Sequence, residues 1–346
     1  MNCRLSLVVA VMAALLNMAG CSQHDPPAKP DARSSVLVEY DDFLSAAAIS
    51  PNGSIIASGA SPGEVRIWDV ASRKSLYPIP VKTPKPREMV FAPDSKRLFG
   101  GGHNGDLFLW DFTSHLIHLE ETCGDSNITA VAYSPNGKWL AAAGVYLKSD
   151  RQHRTSVKIW ESDTGKLVRE VRLENFVGAL AFTPQQSLLM VELISARLFE
   201  IDVKQTVEAP RLVKQYDFGE SMSKTVFSRS GKTIASVANV SGKIFLWTAD
   251  KNALQPRSLV AKGLVLTLAF SPDGKYLVSS VTERKGSSGY PRAKLLLWDV
   301  QKGTLLDSLR FEKPALFVSF MPDGQSIVYR DGKTLHLWKR NTKATH

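Results

Sequence analysis

The stretch FSPDGKYLVSS at residues 270–280, followed by LLLWDV at 295–300, contains the pattern that decides the fold of this 346-residue chain. A short apolar run leads into Ser-Pro-Asp-Gly, in which Pro presets φ, Asp bonds to nearby backbone and Gly accepts a positive φ. A second apolar run follows this turn, and a third alternates up to Trp298 and Asp299. The pattern predicts strands joined by tight turns, with the third strand ending at Trp-Asp.

Seven copies of this unit lie between Ile49 and Arg340. The first halves read ISPNGSIIASG (49–59), FAPDSKRLFGG (91–101), YSPNGKWLAAA (133–143), FTPQQSLLMVE (182–192), FSRSGKTIASV (227–237), FSPDGKYLVSS (270–280) and FMPDGQSIVYR (320–330). The second halves read VRIWDV (65–70), LFLWDF (107–112), VKIWES (157–162), ARLFEI (196–201), IFLWTA (244–249), LLLWDV (295–300) and LHLWKR (335–340). In the fourth copy, Phe199-Glu200 stands where most others have Trp-Asp. A period of about 40–45 residues with this signature is typical of propeller blades.

These repeats resemble the WD40 family, and the resemblance covers nearly all of the chain after residue 34. It implies an all-β fold, a seven-bladed propeller of WD40 type over residues 36–340 with a tail at 341–346. The eight residues after Trp338 are too few for a fourth strand, whereas Val36–Tyr40 is an unassigned apolar strand. We expect this N-terminal strand to pair with the last blade and close the ring. An eighth, incomplete blade is the alternative.

Residues 1–20 are predicted to be a signal peptide, because Arg4 precedes a short apolar run from Leu5 to Leu16. The run ends in Met18-Ala19-Gly20-Cys21, which resembles a bacterial lipobox and implies lipidation of Cys21. An ordinary signal peptide cleaved near Ala19 is the alternative. Residues 21–35 are polar and proline-rich and are predicted to be a flexible tether. Ser22 follows the Cys where an Asp is typical of inner-membrane retention, so the resemblance favours an outer-membrane lipoprotein facing the periplasm.

The composition favours a basic surface, with 43 Lys and Arg against 33 Asp and Glu and a net charge of +10. This balance suits acidic partners but is ordinary for a soluble protein. Of the three cysteines, Cys123 lies alone in the repeat region, so no intramolecular disulfide is expected there. Acidic neighbours raise the pKa of a thiol, so Cys123 is predicted to be a buried thiol rather than a nucleophile.

Two copies are longer than the others, with insertions between the second and third strands at Val145–Ser156 and Val281–Lys294. In a propeller these connections emerge on one face, together with the connections between blades, such as Val81–Arg87. Insertions in repeat proteins often mark the binding face. The sequence therefore predicts a basic binding rim, with ordinary polar loops as the alternative. Its predicted residues are Lys148, Arg151, His153, Arg154, Arg284, Lys285, Tyr290, Arg292, Lys82, Lys85 and Arg87.

The sequence contains no phosphate-binding Gly loop, HExxH motif or CxxC pair, and no catalytic residue, metal or cofactor is predicted. His115 and His118 are three apart on a predicted strand, so they should point to opposite faces. The leading hypothesis is a non-enzymatic, membrane-tethered protein-interaction scaffold of the bacterial cell envelope. Its expected partners are proteins and the membrane, without nucleic acid, and the propeller is expected to be monomeric. The alternatives are a polyanion or envelope-polymer binder and an enzyme resembling propeller lactonases or amine dehydrogenases.

Overall fold

The structure, a computed structural model, describes residues 32–40, 44–60, 63–147, 153–205, 209–249, 255–283, 292–311 and 313–340. Within these ranges, 28 strands form seven antiparallel sheets of four strands. Blade 1 contains β2 (Leu44–Ile49), β3 (Ile55–Ala60), β4 (Glu64–Asp69) and β5 (Lys74–Pro80). Blade 2 contains β6 (Pro86–Phe91), β7 (Arg97–Gly102), β8 (Asp106–Asp111) and β9 (Leu116–Thr122). Blade 3 contains β10 (Ile128–Tyr133), β11 (Trp139–Leu147), β12 (His153–Glu161) and β13 (Leu167–Leu173).

The remaining blades follow the same order. Blade 4 contains β14 (Val177–Phe182), β15 (Ser187–Glu192), β16 (Arg197–Asp202) and β17 (Arg211–Gln215). Blade 5 contains β18 (Met222–Phe227), β19 (Thr233–Ala238), β20 (Lys243–Thr248) and β21 (Arg257–Val260). Blade 6 contains β22 (Leu264–Phe270), β23 (Tyr276–Glu283), β24 (Arg292–Asp299) and β25 (Thr304–Phe311). Blade 7 contains β26 (Val318–Phe320), β27 (Ser326–Asp331), β28 (Thr334–Lys339) and β1 (Ser34–Glu39).

The ring is closed as the sequence predicts, because β1 is the outer strand of blade 7 and pairs antiparallel with β28. The strand begins two residues earlier than expected, at Ser34. Arg33 precedes it, donates to Asp307 of blade 6 at 2.5 Å and lies over the ring of Trp338. The two chain ends therefore meet in a single sheet.

The first strand of each blade lies at the centre of the ring, since consecutive first strands contact one another from β2 to β26. Six of these seven strands carry a β-bulge, at the second position in five of them and at the third in β22. In blades 1, 3 and 5 the bulge residue is Ser45, Thr129 or Ser223, and its hydroxyl donates to a carbonyl of the next strand. The bulge increases local twist, and the hydroxyl satisfies the carbonyl opposite it.

The hydrophobic core consists of seven layers, one between each pair of neighbouring blades. Both faces of the middle strands are thus covered, which explains their nearly continuous apolar sequences. The layer between blades 7 and 1 joins Leu37, Val38 and Tyr40 to Leu44 and Trp68. The N-terminal strand therefore closes the core as well as the hydrogen-bonded sheet.

The repeated Trp is buried within its blade, and the strand opposite decides whether its indole is hydrogen-bonded. Trp68, Trp247 and Trp298 donate to Ser58, Ser236 and Ser279 at 2.9–3.0 Å. Where that Ser is absent, the indole nitrogens of three tryptophans have no hydrogen-bond partner among the described residues, namely Trp110, Trp160 and Trp338. Packing therefore holds these three rings, since a buried N–H without a partner costs stability.

The predicted equivalence of Phe199 with the repeated Trp is wrong. Ile201 pairs with Leu188 in the register in which Trp160 pairs with Leu140. The turn between the first and second strands is one residue shorter in blade 4 than in blade 3. The amide of Thr183 donates to the carbonyl of Ser187, four residues on, whereas the amide of Ser134 donates to the carbonyl of Trp139, five residues on. The fourth copy therefore carries Ile201-Asp202 at the Trp-Asp position.

Candidate docking face

The two ends of the propeller are built from different connections. On one, here called the lower face, lie the Ser-Pro-Asx-Gly turns and the turns that follow Trp-Asp. On the other, here called the upper face, lie the connections between second and third strands and those from one blade to the next. Most lower connections are short, hydrogen-bonded turns, such as Ser50–Gly53 and Asp299–Gly303, whereas those from β16 to β17 and from β20 to β21 span residues 203–210 and 249–256. Both insertions singled out in the sequence lie on the upper face.

The two insertions lengthen hairpins of the upper face. The strands β11 and β12 have nine residues each and β23 and β24 have eight, whereas β3 and β4 have six. Among the predicted rim residues, His153 pairs with Leu147 and Arg292 with Glu283 along these hairpins. The hairpin tips lie outside the described residues, with Lys148, Arg151, Arg284, Lys285 and Tyr290, and so does Cys21.

Arg154 does not belong to an exposed rim. Only 8% of its surface is accessible, and its guanidinium forms an ion pair with Glu174 on the connection to blade 4. The sequence predicts that this cationic side chain points into solvent, but in the structure it is covered. Arg154 therefore ties the hairpin of blade 3 to its neighbour.

Lys82, Lys85 and Arg87 form a basic sector on the upper face beside blade 2. Lys82 pairs with Glu120, so its charge is partly neutralised, while Lys85 is exposed. Arg87 occupies the bulge position of β6, where blades 1, 3 and 5 have Ser or Thr. The connection is fixed below by Thr83, whose hydroxyl donates to the carbonyl of His103 at 3.3 Å.

The basic sector also acts on the ionisation of His103. Burial lowers its pKa below the ordinary value of 6.5, and the positive charges of Arg87 and Lys85 lower it further. His103 is therefore neutral at neutral pH. The imidazole of His103 binds a proton less readily in the folded protein than in the unfolded chain. Its effect on the free energy of unfolding is therefore a loss of stability as the pH drops through about 6.5.

We expect the pKa of His103, measured by NMR titration of its imidazole, to rise when Lys85 and Arg87 are both changed to Met. The repulsion from two cations is then removed, while the burial remains. Lys166→Met, a change on the lower face, is the control and should leave the titration in place. An unchanged His103 pKa in the double variant would show that the two cations do not reach the ring.

The central channel is crossed by an ion pair between Glu88 and Lys224, whose side chains approach to 3.6 Å. These residues lie on the inner strands of blades 2 and 5, which are not neighbours in the ring. The pair can meet only across the channel. It connects two sides of the propeller just inside the upper face, beside Arg87.

Exposed apolar side chains form a second sector on the upper face, here called the apolar sector. It consists of Ile194, Val240, Leu264 and Leu316, which are 41–81% exposed and lie on the consecutive blades 4, 5, 6 and 7. Other exposed apolar residues, such as Leu76, Leu116 and Leu305, lie one per blade on outer strands. Isolated exposed residues are normal, so the presence of these four on one face makes the apolar sector a candidate interaction site.

Val240, the most exposed residue of the apolar sector, lies on a loop that is held by two hydrogen bonds. The carboxylate of Glu220 accepts hydrogen bonds from the amides of Val240 and Ser241 at 2.7 and 2.9 Å. Burial acts to raise the pKa of Glu220, but these hydrogen bonds outweigh it and lower the pKa. A loop fixed in this way presents its apolar tip with little entropy left to lose on binding.

Cys123 is buried, as predicted, and is unsuited to catalysis. Its thiol donates to the carbonyls of Ala142 and Ser156, and burial raises its pKa to about 11. The described ranges contain no group of three or more His, Cys, Asp or Glu residues that could hold a metal ion. They also contain no helix with the length and apolar character needed to cross a bilayer.

Comparison with known proteins agrees with this fold. The WD domain, G-beta repeat model matches residues 34–69, 118–161 and 256–287. The solved structure of U3-55K superimposes with a TM-score of 0.70 at 15% identity, covering 91% of this chain and 100% of that one. The chain is an all-β, seven-bladed propeller built from WD40 repeats.

The similar curated proteins are eukaryotic. Periodic tryptophan protein 2 homolog of Dictyostelium discoideum is 23% identical over 83% of this chain and 30% of its own length. Pre-rRNA-processing protein crb3/ipi3 of Schizosaccharomyces pombe is 22% identical over 84% of this chain and 63% of its own length. Small ribosomal subunit protein RACK1 of Caenorhabditis elegans is 26% identical over 39% of each chain. The chain thus spans less than two thirds of the length of each of these relatives.

These relatives contradict part of what the sequence predicts. They are eukaryotic proteins, two of them named for pre-rRNA processing or the small ribosomal subunit. The predicted function as a membrane-tethered scaffold of the bacterial envelope is therefore wrong. So are the periplasmic location and the partner set of proteins and membrane without nucleic acid. The lipoprotein signal is not shown by any match, and lipidation of Cys21 stays an untested reading of residues outside the described ranges.

Proposed function

We propose that this propeller is a non-catalytic docking subunit of an RNA–protein assembly and that it holds a protein partner on its upper face. The observation that carries the proposal is the apolar sector, with four exposed apolar side chains on consecutive blades. The names of two relatives support the setting, since they refer to pre-rRNA processing and the small ribosomal subunit. Propellers host many unrelated activities, so the site and not the fold supports the binding role.

The chemistry of the upper face favours a protein partner over direct RNA contact. RNA binding draws on clustered cations and exposed aromatic side chains on which bases stack. The basic sector has Lys82 paired with Glu120 and Arg87 half-buried. The apolar sector is aliphatic, and its side chains are suited to pack against an apolar protein surface.

The proposal predicts that changing Ile194, Val240, Leu264 and Leu316 together to Ser releases the protein from its assembly. The tagged full chain is expected to co-sediment with ribosome-precursor particles in a sucrose gradient. The variant should be depleted from that fraction at least about tenfold, which corresponds to a loss of about 1.4 kcal/mol of binding. Folding should be nearly unaffected, because substitutions at exposed positions usually change stability by about 0.5 kcal/mol or less.

A matched variant with Leu76, Leu116, Leu167 and Leu305 changed to Ser removes four equally apolar, exposed residues from outer strands. It should stay in the particle fraction. The proposal fails if the wild-type chain sediments alone, or if both quadruple variants behave identically.

A further inference from the structure

Arg330 occupies a core position that is small or apolar in every other blade. It lies on the second strand of blade 7, is 7% exposed and pairs with Leu335 across the sheet. Its backbone amide donates to the carbonyl of Phe317. The equivalent residues, by strand register, are Gly59, Gly101, Ala143, Val191, Val237 and Ser280. A cation at such a position is costly unless something pairs with it.

Within the described ranges, the guanidinium of Arg330 has no carboxylate partner and no hydrogen-bond acceptor. Burial lowers the pKa of Arg330, and no charge of another described residue contributes to the shift. Its nitrogens have no described partner, and none of them is completely sealed from solvent. Solvent therefore still reaches the tip of the guanidinium, while the rest of the side chain is covered.

The location of this tip follows from the equivalent glycines. A Cβ built on Gly59 lies 2.7 Å from Pro86, the first residue of the next blade's inner strand, and one on Gly101 lies 2.8 Å from Ile128. In blade 7 the corresponding neighbour is Leu44, at the start of blade 1. Arg330 therefore enters the junction of blades 7 and 1 near the upper end of its strand.

The residues at this junction define what could bind there. Leu316, 53% exposed, belongs to the apolar sector and occupies the position of the bulge residues in the other blades. Lys313 lies on the same connection, with its Nζ 3.5 Å from a Cβ built on Gly332, on the turn that follows β27. One covered guanidinium beside an exposed Leu suits a single carboxylate that is flanked by an apolar side chain. An extended phosphate backbone would need several accessible cations.

We propose that Arg330 receives a carboxylate of the docked protein partner, an Asp or Glu next to an apolar residue that packs on Leu316. The inference rests on the proposed docking function and specifies the chemistry of the partner. A carboxylate can form two parallel hydrogen bonds with a guanidinium, a charge-assisted geometry that is among the strong polar contacts in proteins.

The test uses the full chain with ¹⁵N-labelled arginine and follows the Nε–Hε signal of Arg330, assigned by its loss in Arg330→Met. The probe is acetyl-Leu-Glu-Leu-amide, and acetyl-Leu-Gln-Leu-amide is its neutral counterpart. The Arg330 signal should shift in a saturable way with the Glu peptide, at least fivefold more than with the Gln peptide at equal concentration. Equal shifts, or no shift, overturn the inference. A larger shift with inorganic phosphate or oligouridylate than with the Glu peptide overturns the choice of a carboxylate.

Two further variants separate this role from a structural one. Arg330→Met should keep or raise the thermal midpoint, because it removes an unpaired, covered cation, and Arg310→Met on the outer strand is the control. A clear drop for Arg330→Met alone overturns the inference, since it would reveal a stabilising contact. Asp41 and Asp42 lie outside the described residues, and peptide binding that occurs only after both are changed to Asn would overturn the inference, because the chain would then fill the site itself. If the quadruple Ser variant leaves the particles while Arg330→Met stays, the docking function stands and the role of Arg330 falls.

Discussion

Deleting Ser34–Glu39 is expected to destabilise the whole propeller, although these residues lie at the edge of the repeat region. Leu37 and Val38 are 3% and 5% exposed in the layer between blades 7 and 1. Their burial alone contributes about 3–6 kcal/mol, at roughly 1.5–3 kcal/mol for each apolar side chain. This is a large part of the 5–15 kcal/mol that is typical for a folded protein. The deletion also leaves β28 as an unpaired edge.

Thermal unfolding followed by circular dichroism measures this effect, with point variants in the same strand as controls. The double variant Leu37→Ala and Val38→Ala should lose most of the stability that the deletion loses. Val36→Ala, which changes a neighbour that is 49% exposed, should stay within a few degrees of the wild-type midpoint. If the deletion, the double variant and Val36→Ala all keep the thermal midpoint of the wild-type protein, this strand does not hold the ring closed.

The ring and its closure could be predicted from sequence because their signals are local and repeated. The turn residues, the Trp position and the missing last strand can each be recognised in a short stretch of sequence. An irregular copy can also be compared with the six others. The fourth copy shows the limit of this reasoning, because the pattern predicts that an aromatic residue occupies the Trp position. In the structure Phe199 pairs with Met190, and Ile201 takes the Trp position.

The docking face could not be predicted in the same way because its parts come from different blades. The apolar sector joins residues that are up to 122 positions apart, from Ile194 to Leu316, and none is unusual in its own loop. Positive charge in the longer loops predicts a binding rim instead, and this prediction includes Arg154, whose side chain is covered and paired with Glu174. Arg330 is the opposite case. Alignment of the repeats identifies it as an Arg where the other copies have small or apolar residues, but only the strand register shows that this position lies in the core.

The second large effect is expected from Gly144→Ala, in the lengthened strand β11. A Cβ built on Gly144 would lie 1.5 Å from the backbone carbonyl oxygen of Cys123. This oxygen belongs to the connection between blades 2 and 3. The backbone amides of Asp125 and Ser126 on the same connection donate to the carbonyl of Val145. A backbone atom cannot move aside as a side-chain tip can, so either the connection or the strand has to shift. We expect a loss of about 3 kcal/mol or more, at the upper end of overpacking costs.

Gly178→Ala is the matched control, because the three atoms nearest to its built Cβ are all side-chain atoms of Leu193, at 2.4–2.6 Å. That leucine lies on an upper-face connection and can turn away, so a smaller loss of stability is expected. The two variants should also differ in the reactivity of Cys123, read by alkylation and mass spectrometry of its peptide. Displacement of the connection in Gly144→Ala breaks the contacts of the thiol with Ala142 and Ser156 and admits the reagent. If Cys123 stays as protected in Gly144→Ala as in Gly178→Ala, the connection does not depend on the missing side chain of Gly144.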